Sequence, residues 1–134
     1  MNTKEAANFL TAFADTNEVF ISLSVSLRLN SELKQVHHGF NLRKYNNKKY
    51  GSIEIYVEAE INDDLAYCWW LDVNFGNNTW EIDASLLKTC DGEQHTQSRL
   101  VEINGKDLED LSEELKKTVE IISGSIAQHF KKPH

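Results

Sequence analysis

Three consecutive segments in the middle of the chain alternate between apolar and polar residues, and short turns separate them. Residues 53–61, 65–75 and 80–86 carry an apolar side chain at every second position, with turn residues at 62–64 and 76–79. Side chains of a β-strand point alternately to the two faces of a sheet, so this period is typical of antiparallel strands buried on one side. The segments therefore predict a three-stranded meander with one apolar face and one polar face.

The flanking segments extend this sheet to five predicted strands. In Val19–Leu29 the odd positions are apolar and alternate mainly with serines, which predicts a long first strand. A weaker fifth strand is predicted near Ser98–Ile103. After the first strand, residues 31–38 are predicted as a short helix, followed by a loop that runs to residue 48.

Two longer helices are predicted at the ends of the chain. Thr3 can cap the first helix, which ends at residues 15–17. Asp107 can cap the last helix, whose apolar stripe lies within residues 108–130. The predicted fold is one α+β domain over residues 1–134: a five-stranded, mainly antiparallel sheet with the N-terminal and C-terminal helices packed on one face.

The apolar face also predicts how the strands pair, because a shift by one residue would turn every side chain to the other face. The predicted core pairs are Ile61–Leu65, Val57–Trp69, Ile55–Leu71, Phe75–Trp80 and Leu71–Ala84. On the polar face the same register predicts two neighbouring rows across three strands. These are an acidic row of Glu54, Asp72 and Asp83, and an aromatic row of Tyr56, Trp70 and Ser85.

Fold stability alone does not account for these two rows. Like charges opposite one another cost a few tenths to ~1 kcal/mol per pair, and an exposed indole is typical of a binding surface. We therefore predict a partner-binding site formed by Glu54, Tyr56, Glu58, Trp70, Asp72, Glu81 and Asp83. The alternative is that the basic loop after the first strand folds across this face and neutralises it, through Arg43, Lys44, Lys48 and Lys49.

Charge is distributed unevenly along the chain. Residues 1–49 and residues 116–134 each have a net charge of +3, whereas residues 50–115 contain sixteen acidic and three basic side chains, a net charge of −13. Such an acidic region attracts cationic partners and repels nucleic acid, which is bound by clustered lysines and arginines. We therefore expect a basic protein partner and no direct binding of nucleic acid.

The sequence lacks the patterns that would indicate catalysis. The carboxylates have no EF-hand spacing, and the adjacent His37 and His38 cannot form the i, i+4 pair of a zinc-binding helix. No nucleophile motif or phosphate-binding loop is present. We expect no enzymatic activity, no metal and no cofactor. A calcium or magnesium site in the acidic row, or a carboxylate pair acting on a sugar, is the less favoured interpretation.

Cysteine usage and hydropathy favour a cytoplasmic location. Cys68 and Cys90 are far apart in sequence, which is typical of free thiols in a reducing compartment. No apolar run approaches the ~20 residues of a membrane span, and the N-terminus lacks the basic and apolar regions of a signal peptide. We expect no membrane association, and a monomer or weak dimer when the protein is free.

The layout of helix, strand, hairpins and helix, with LAYCWWLDVNFGNNTWEIDASL at its centre and a net charge of −7, resembles the immunity proteins of bacterial contact-dependent growth inhibition systems. Members of that family neutralise a cognate toxin, often a basic nuclease, by covering its active site or a neighbouring surface. The resemblance implies that this chain binds such a toxin domain. Two other classes fit the same composition: a small acidic secretion-type chaperone that binds an effector segment, and a small-molecule-binding domain with a pocket between sheet and helices.

Overall fold

Five antiparallel strands and two helices make up the described part of the chain, which comprises residues 2–44, 49–76 and 78–131 of this computed structural model. Their order is α1 (Thr3–Arg28), β1 (Gln35–Arg43), β2 (Lys49–Asn62), β3 (Leu65–Gly76), β4 (Thr79–Cys90), β5 (Glu93–Gly105) and α2 (Leu108–His129). The strands form one meander in the order β1-β2-β3-β4-β5. The predicted α+β fold, with both helices on one face of a five-stranded antiparallel sheet, is confirmed.

The core lies between this face of the sheet and the helices. α1 packs on β1 and β2, α2 packs on β4 and β5, and the helices contact each other. Trp69, Leu71 and Ile82 of the sheet are fully buried against Phe20 of α1 and Ile122 of α2. Within the described ranges, neither helix is long and apolar enough to cross a membrane.

Two core tryptophans also tie the sheet to the region of α2. The Trp69 indole nitrogen donates a hydrogen bond of 2.9 Å to the hydroxyl of Ser125, and the Trp80 indole nitrogen donates one of 2.9 Å to the Asp107 carbonyl. A buried indole N–H without an acceptor would be costly, so these two bonds allow the large rings to lie in the core.

The register of the meander follows its apolar face. Four predicted pairs are present: Val57–Trp69, Ile55–Leu71, Phe75–Trp80 and Leu71–Ala84. The pair Ile61–Leu65 is wrong, because an irregularity between Glu60 and Asn62 places Asn62 opposite Leu65. This bulge lies beside the turn and leaves the pairing of the strand interior as predicted. Asn77 of the second predicted turn lies outside the described residues.

The prediction for residues 15–29 is wrong. This segment is not a turn followed by a strand, because α1 continues without interruption to Arg28. The cap is also one residue earlier than predicted, since the Asn2 side chain accepts a hydrogen bond of 2.9 Å from the backbone N–H of Glu5.

The buried positions of α1 explain why the alternation of residues 19–29 was misleading. From Phe13 onwards they recur every three or four residues, and the full set is Ala12, Phe13, Thr16, Phe20, Ser24 and Leu27. Thr16 and Ser24 fit the buried side because their hydroxyls donate to the carbonyls of Ala12 and Ile21, at 2.8 and 2.7 Å. The apolar residues Ile21, Val25 and Leu29 are instead exposed.

β1 occupies the region where a short helix over residues 31–38 and a loop were predicted, so that prediction is also wrong. β1 is an edge strand and buries Val36, whereas Phe40 and Leu42 on the same side are exposed. One buried residue is too weak a signal to indicate a strand. Residues 45–48 of the predicted loop, which include Lys48, lie outside the described residues.

The β4–β5 hairpin is longer than predicted. Asp91 and Gly92 form its turn with φ angles of 53° and 82°, the positive values that a two-residue hairpin loop requires. Residues 93–99 of β5 are exposed. With both faces in water, this end of the hairpin shows no apolar alternation, so the sequence pattern indicated only the part of each strand over the core.

Two alanine substitutions test the helical assignment of residues 19–28. Phe20→Ala should lower the free energy of unfolding by about 3–5 kcal/mol, because the ring is fully buried in the core. Val25→Ala should change it by less than about 0.5 kcal/mol, because the side chain is exposed in the helix. Urea denaturation measures both. A strand with the predicted alternation would give the reverse order, with the larger loss at Val25.

Candidate binding surface

The face of the sheet opposite the helices, called the outer face below, carries both predicted rows. Glu54 pairs with Asp72 and Asp72 with Asp83, which confirms the acidic row. Tyr56 pairs with Trp70 and Trp70 with Ser85, which confirms the aromatic row.

The acidic row is longer than predicted. Asp83 lies opposite Glu102 of β5, which adds a fourth carboxylate from a fourth strand. The sequence pattern missed Glu102 because β4 and β5 pair with a register irregularity after Ala84, which no turn or composition signal indicates. Four neighbouring strands therefore each contribute one carboxylate to the row.

The β2 end of the row is neutralised by an arginine. The Arg43 guanidinium of β1 lies 2.9 Å from a carboxylate oxygen of Glu54, whose side chain is only 5% exposed. The second Glu54 oxygen is buried and has no hydrogen-bond partner among the described residues. The predicted alternative of a basic covering loop is thus partly right, because Arg43 from that segment contacts this face. Because Glu54 is almost fully buried, it can offer a partner only a small contact area.

A second arginine lies at the opposite end of the row. The Arg99 guanidinium is 2.9 Å from the Glu102 carboxylate, and this hydrogen bond, with the negative charge of Glu102, raises the pKa of Arg99 above its usual range. In the middle of the row Asp72 and Asp83 are half-buried. The Asn74 side-chain amide donates a hydrogen bond of 3.3 Å to Asp72. Positive charge is therefore placed mainly towards the edges of the acidic row.

The aromatic row forms an aromatic platform beside the carboxylates. The rings of Tyr56 and Trp70 are stacked, with centroids 5.2 Å apart and planes inclined by 10°. Both side chains are half-buried. Gly39 of β1 lies opposite Tyr56, and a Cβ atom at position 39 would overlap the Tyr56 ring. Glycine at this position lets the ring lie directly against the backbone of the edge strand.

The outer face is concave. It contains a cavity of about 590 Å³ whose lining residues come from both edge strands as well as from the centre of the sheet. Those on the outer face include His37, Tyr56, Glu58, Cys68, Trp70 and Gln94. Cys68, which lines this cavity, is buried although the helices lie on the other side of the sheet.

The remaining predicted site residues lie on the same face, but apart from one another. Glu58 lies opposite His37 of β1 and Cys68 of β3. Glu81 is exposed and lies opposite Asn74, near the start of β4. The structure therefore brings Glu58 to the cavity and leaves Glu81 at the margin of the surface.

One group of residues on this face was missed altogether. His37, Glu58 and Glu60 come together where β1 pairs with β2, with one imidazole nitrogen and two carboxylate oxygens within 4.8 Å of one another. The histidine could not be linked to these carboxylates from the sequence because residues 31–38 were predicted as a helix.

The two cysteines are free and differ in their environments. Cys68 is 4% exposed, and its burial, with a smaller contribution from the Glu58 carboxylate, raises the pKa of the Cys68 thiol to about 12. Cys90 is half-buried at the end of β4. Cys68 is therefore a protonated thiol in the floor of the cavity at neutral pH.

Comparison with protein-family models, curated proteins and solved structures finds no match to this chain.

Removal of the guanidinium beside Glu54 should destabilise the fold. Arg43→Gln leaves a buried carboxylate without its charged partner, and we expect a loss of about 1–3 kcal/mol in the free energy of unfolding. The matched control is Arg99→Gln, which breaks an arginine–glutamate contact of the same length in which both side chains are exposed. That change should leave the urea midpoint almost unaltered. Equal losses in the two variants would contradict the structural role of the Arg43–Glu54 pair.

Thiol labelling should distinguish the two cysteines. At ~pH 8 the folded protein should react with iodoacetamide at Cys90 while Cys68 stays unmodified, because a thiol reacts as its thiolate and the pKa of Cys68 is raised to about 12. The Cys68 thiolate should appear only as the pH approaches that value. Peptide mass spectrometry assigns the sites, and in denaturant both should react. Equal labelling in the folded state would show that Cys68 is not buried as described.

Proposed function

We propose that this protein binds and neutralises a basic protein toxin, of which a nuclease domain is the type expected, through the concave outer face of its sheet. The observation that carries the proposal is the stacked Tyr56–Trp70 pair beside the acidic row, on the side of the sheet that the helices leave free. The resemblance to immunity proteins in layout and charge supports the same function.

The charge of this surface suits a basic partner. The four carboxylates of the acidic row lie on neighbouring strands, and two arginines, Arg43 and Arg99, pair with its outer members, Glu54 and Glu102. The field in front of Asp72 and Asp83 is therefore expected to be negative. Such a field accelerates encounter with a basic surface and disfavours partners of the same sign. A nuclease has basic side chains at the site where it binds phosphates. An acidic row can pair with these side chains and so block that site.

The aromatic row supplies the apolar part of the interaction. Rigid tyrosine and tryptophan rings lose little conformational entropy on binding and often contribute most of the affinity of an interface. Their faces also attract arginine and lysine side chains. Tyr56 and Trp70 are held in position by their mutual stacking and by Gly39 beneath the tyrosine, so the platform is formed before a partner arrives.

Charge reversal in the middle of the acidic row tests this proposal. The partner is a basic toxin domain encoded beside the gene for this chain, such as the variable C-terminal part of a large secreted protein. The double variant Asp72→Lys, Asp83→Lys should lower the association rate at least about tenfold at low salt and weaken its salt dependence. Stopped-flow fluorescence measures both quantities.

The control for that experiment is Glu109→Lys with Asp110→Lys, which changes the net charge by the same amount at exposed positions in the first turn of α2. It should retain most of the association rate. An unchanged rate and salt slope in the outer-face variant, or an equal fall in both variants, would refute binding through the acidic row.

A second candidate function is a secretion-type chaperone that binds an effector segment. The observation that favours it is the line of exposed apolar residues formed by Ile21 and Val25 on α1 and Leu29 at its C-cap, at helical spacing. A chaperone of this class is expected to dimerise. Light scattering of the free protein separates the two candidates, because a stable dimer favours the chaperone and a monomer favours the toxin-binding protein.

A further inference from the structure

Three side chains with metal-binding groups meet on the outer face near its β1 edge. His37 of β1 lies directly opposite Glu58 of β2, and Glu60 follows two residues later on the same side of β2. One ligand atom from each residue lies within 4.8 Å of the other two. We propose that His37, Glu58 and Glu60 bind a divalent transition-metal ion, and that zinc is the ion that this ligand set fits best.

The distances are close to those of a coordinated ion. Zinc bonds of about 2.0–2.2 Å in tetrahedral geometry place two ligand atoms roughly 3.4 Å apart. The His37 Nε2 and Glu60 Oε1 atoms are already 3.5 Å apart. The Glu58 ligand atom lies within 4.8 Å of both of these atoms.

The backbone holds the three residues in this arrangement. β1 and β2 pair without a register shift from Gln35–Glu60 to Arg43–Ser52. Residues directly opposite each other, and residues two apart on one strand, lie on the same face and within reach of long side chains. The positions of His37, Glu58 and Glu60 are thus fixed by the same ladder that holds the edge of the sheet.

The chemistry of the ligands selects the class of ion. Calcium and magnesium prefer sites made entirely of oxygen atoms, whereas one imidazole with two carboxylates suits zinc and its neighbours in the first transition series. Two carboxylates also balance the charge of a divalent ion. Without a metal, the contact between His37 and Glu60 is an ion pair only when the imidazole carries its second proton.

The surroundings leave room for a further ligand. The side chains of His37 and Glu60 are 40% and 29% exposed, and His37 and Glu58 line the 590 Å³ cavity together with Trp70. Three protein ligands leave one position of a tetrahedral zinc ion open to water or to another molecule. The nearby Lys34 side chain forms its ion pair with Asp63, and its electrostatic interaction with Glu60 is weaker than that with Asp63.

The test is zinc binding by the full chain without an affinity tag. This site does not depend on the proposed toxin binding, so the experiment needs no partner. Calorimetric titration with zinc chloride should give one ion per chain. His37→Ala, Glu58→Gln and Glu60→Gln should each weaken the affinity by about tenfold or more. The matched control is His95→Ala, which removes an exposed histidine of β5 and should bind zinc like the unaltered protein.

Thermal unfolding supplies a second measurement that separates lost binding from lost folding. Zinc should raise the unfolding midpoint of the unaltered protein and of His95→Ala, because a ligand of the native state stabilises it. It should leave the midpoint of His37→Ala unchanged, while that variant without zinc unfolds cooperatively. The proposal is refuted if the unaltered protein shows no saturable zinc binding, or if His37→Ala binds zinc with the same affinity.

Discussion

Burial of one face of β2, β3 and β4 beneath the helices determines where every side chain of the outer face lies. Trp69 and Leu71 are fully buried, and Trp70 and Asp72 alternate with them on the other side. A shift of β3 by one residue would bring Asp72 into the core, where an unpaired carboxylate is very costly. The apolar face therefore enforces the register, and the register aligns the carboxylates even though their repulsion opposes it.

The structure offsets this repulsion at the edges of the acidic row. Arg43 contacts buried Glu54 at one end, and Arg99 contacts Glu102 at the other. Both arginines come from strands at the sheet edges. Because the two cations lie at the ends, the concave centre keeps its carboxylates next to the Tyr56–Trp70 platform. The proposed toxin binding uses this combination of a fixed aromatic platform and neighbouring carboxylates, and the His37 group lies at its margin.

The sequence predicted the middle of this molecule well and its N-terminal third poorly. β2, β3 and β4 have one buried and one open face, so their period of two is directly visible, and both rows followed from it. The same reasoning failed for α1. The hydroxyls of Thr16 and Ser24 on its buried side form hydrogen bonds within the helix. Ile21 and Val25, although apolar, are exposed to solvent. A pattern of polarity cannot indicate which apolar residues the fold will leave exposed.

The surface residues that were missed have a common cause. Glu102 and the His37 group depend on edge strands, where only part of each strand covers the core and the polarity pattern is weak. The burial of Glu54 was equally hidden, because its arginine partner, Arg43, lies on a strand that had been predicted as a loop. The local sequence indicates the period of a strand. It does not indicate how a sheet curves or which strands lie at its edges.

The three indole N–H groups offer a direct test of the claim that the outer face binds the partner. Trp69 and Trp80 donate theirs towards the helix side of the sheet, to Ser125 and Asp107, whereas Trp70 lies on the outer face. In a ¹H–¹⁵N correlation spectrum, titration with the basic toxin domain should shift the Trp70 indole signal and leave those of Trp69 and Trp80 nearly unchanged. A shift of the Trp69 or Trp80 signal with Trp70 unaffected would place the partner on the helices and contradict this account.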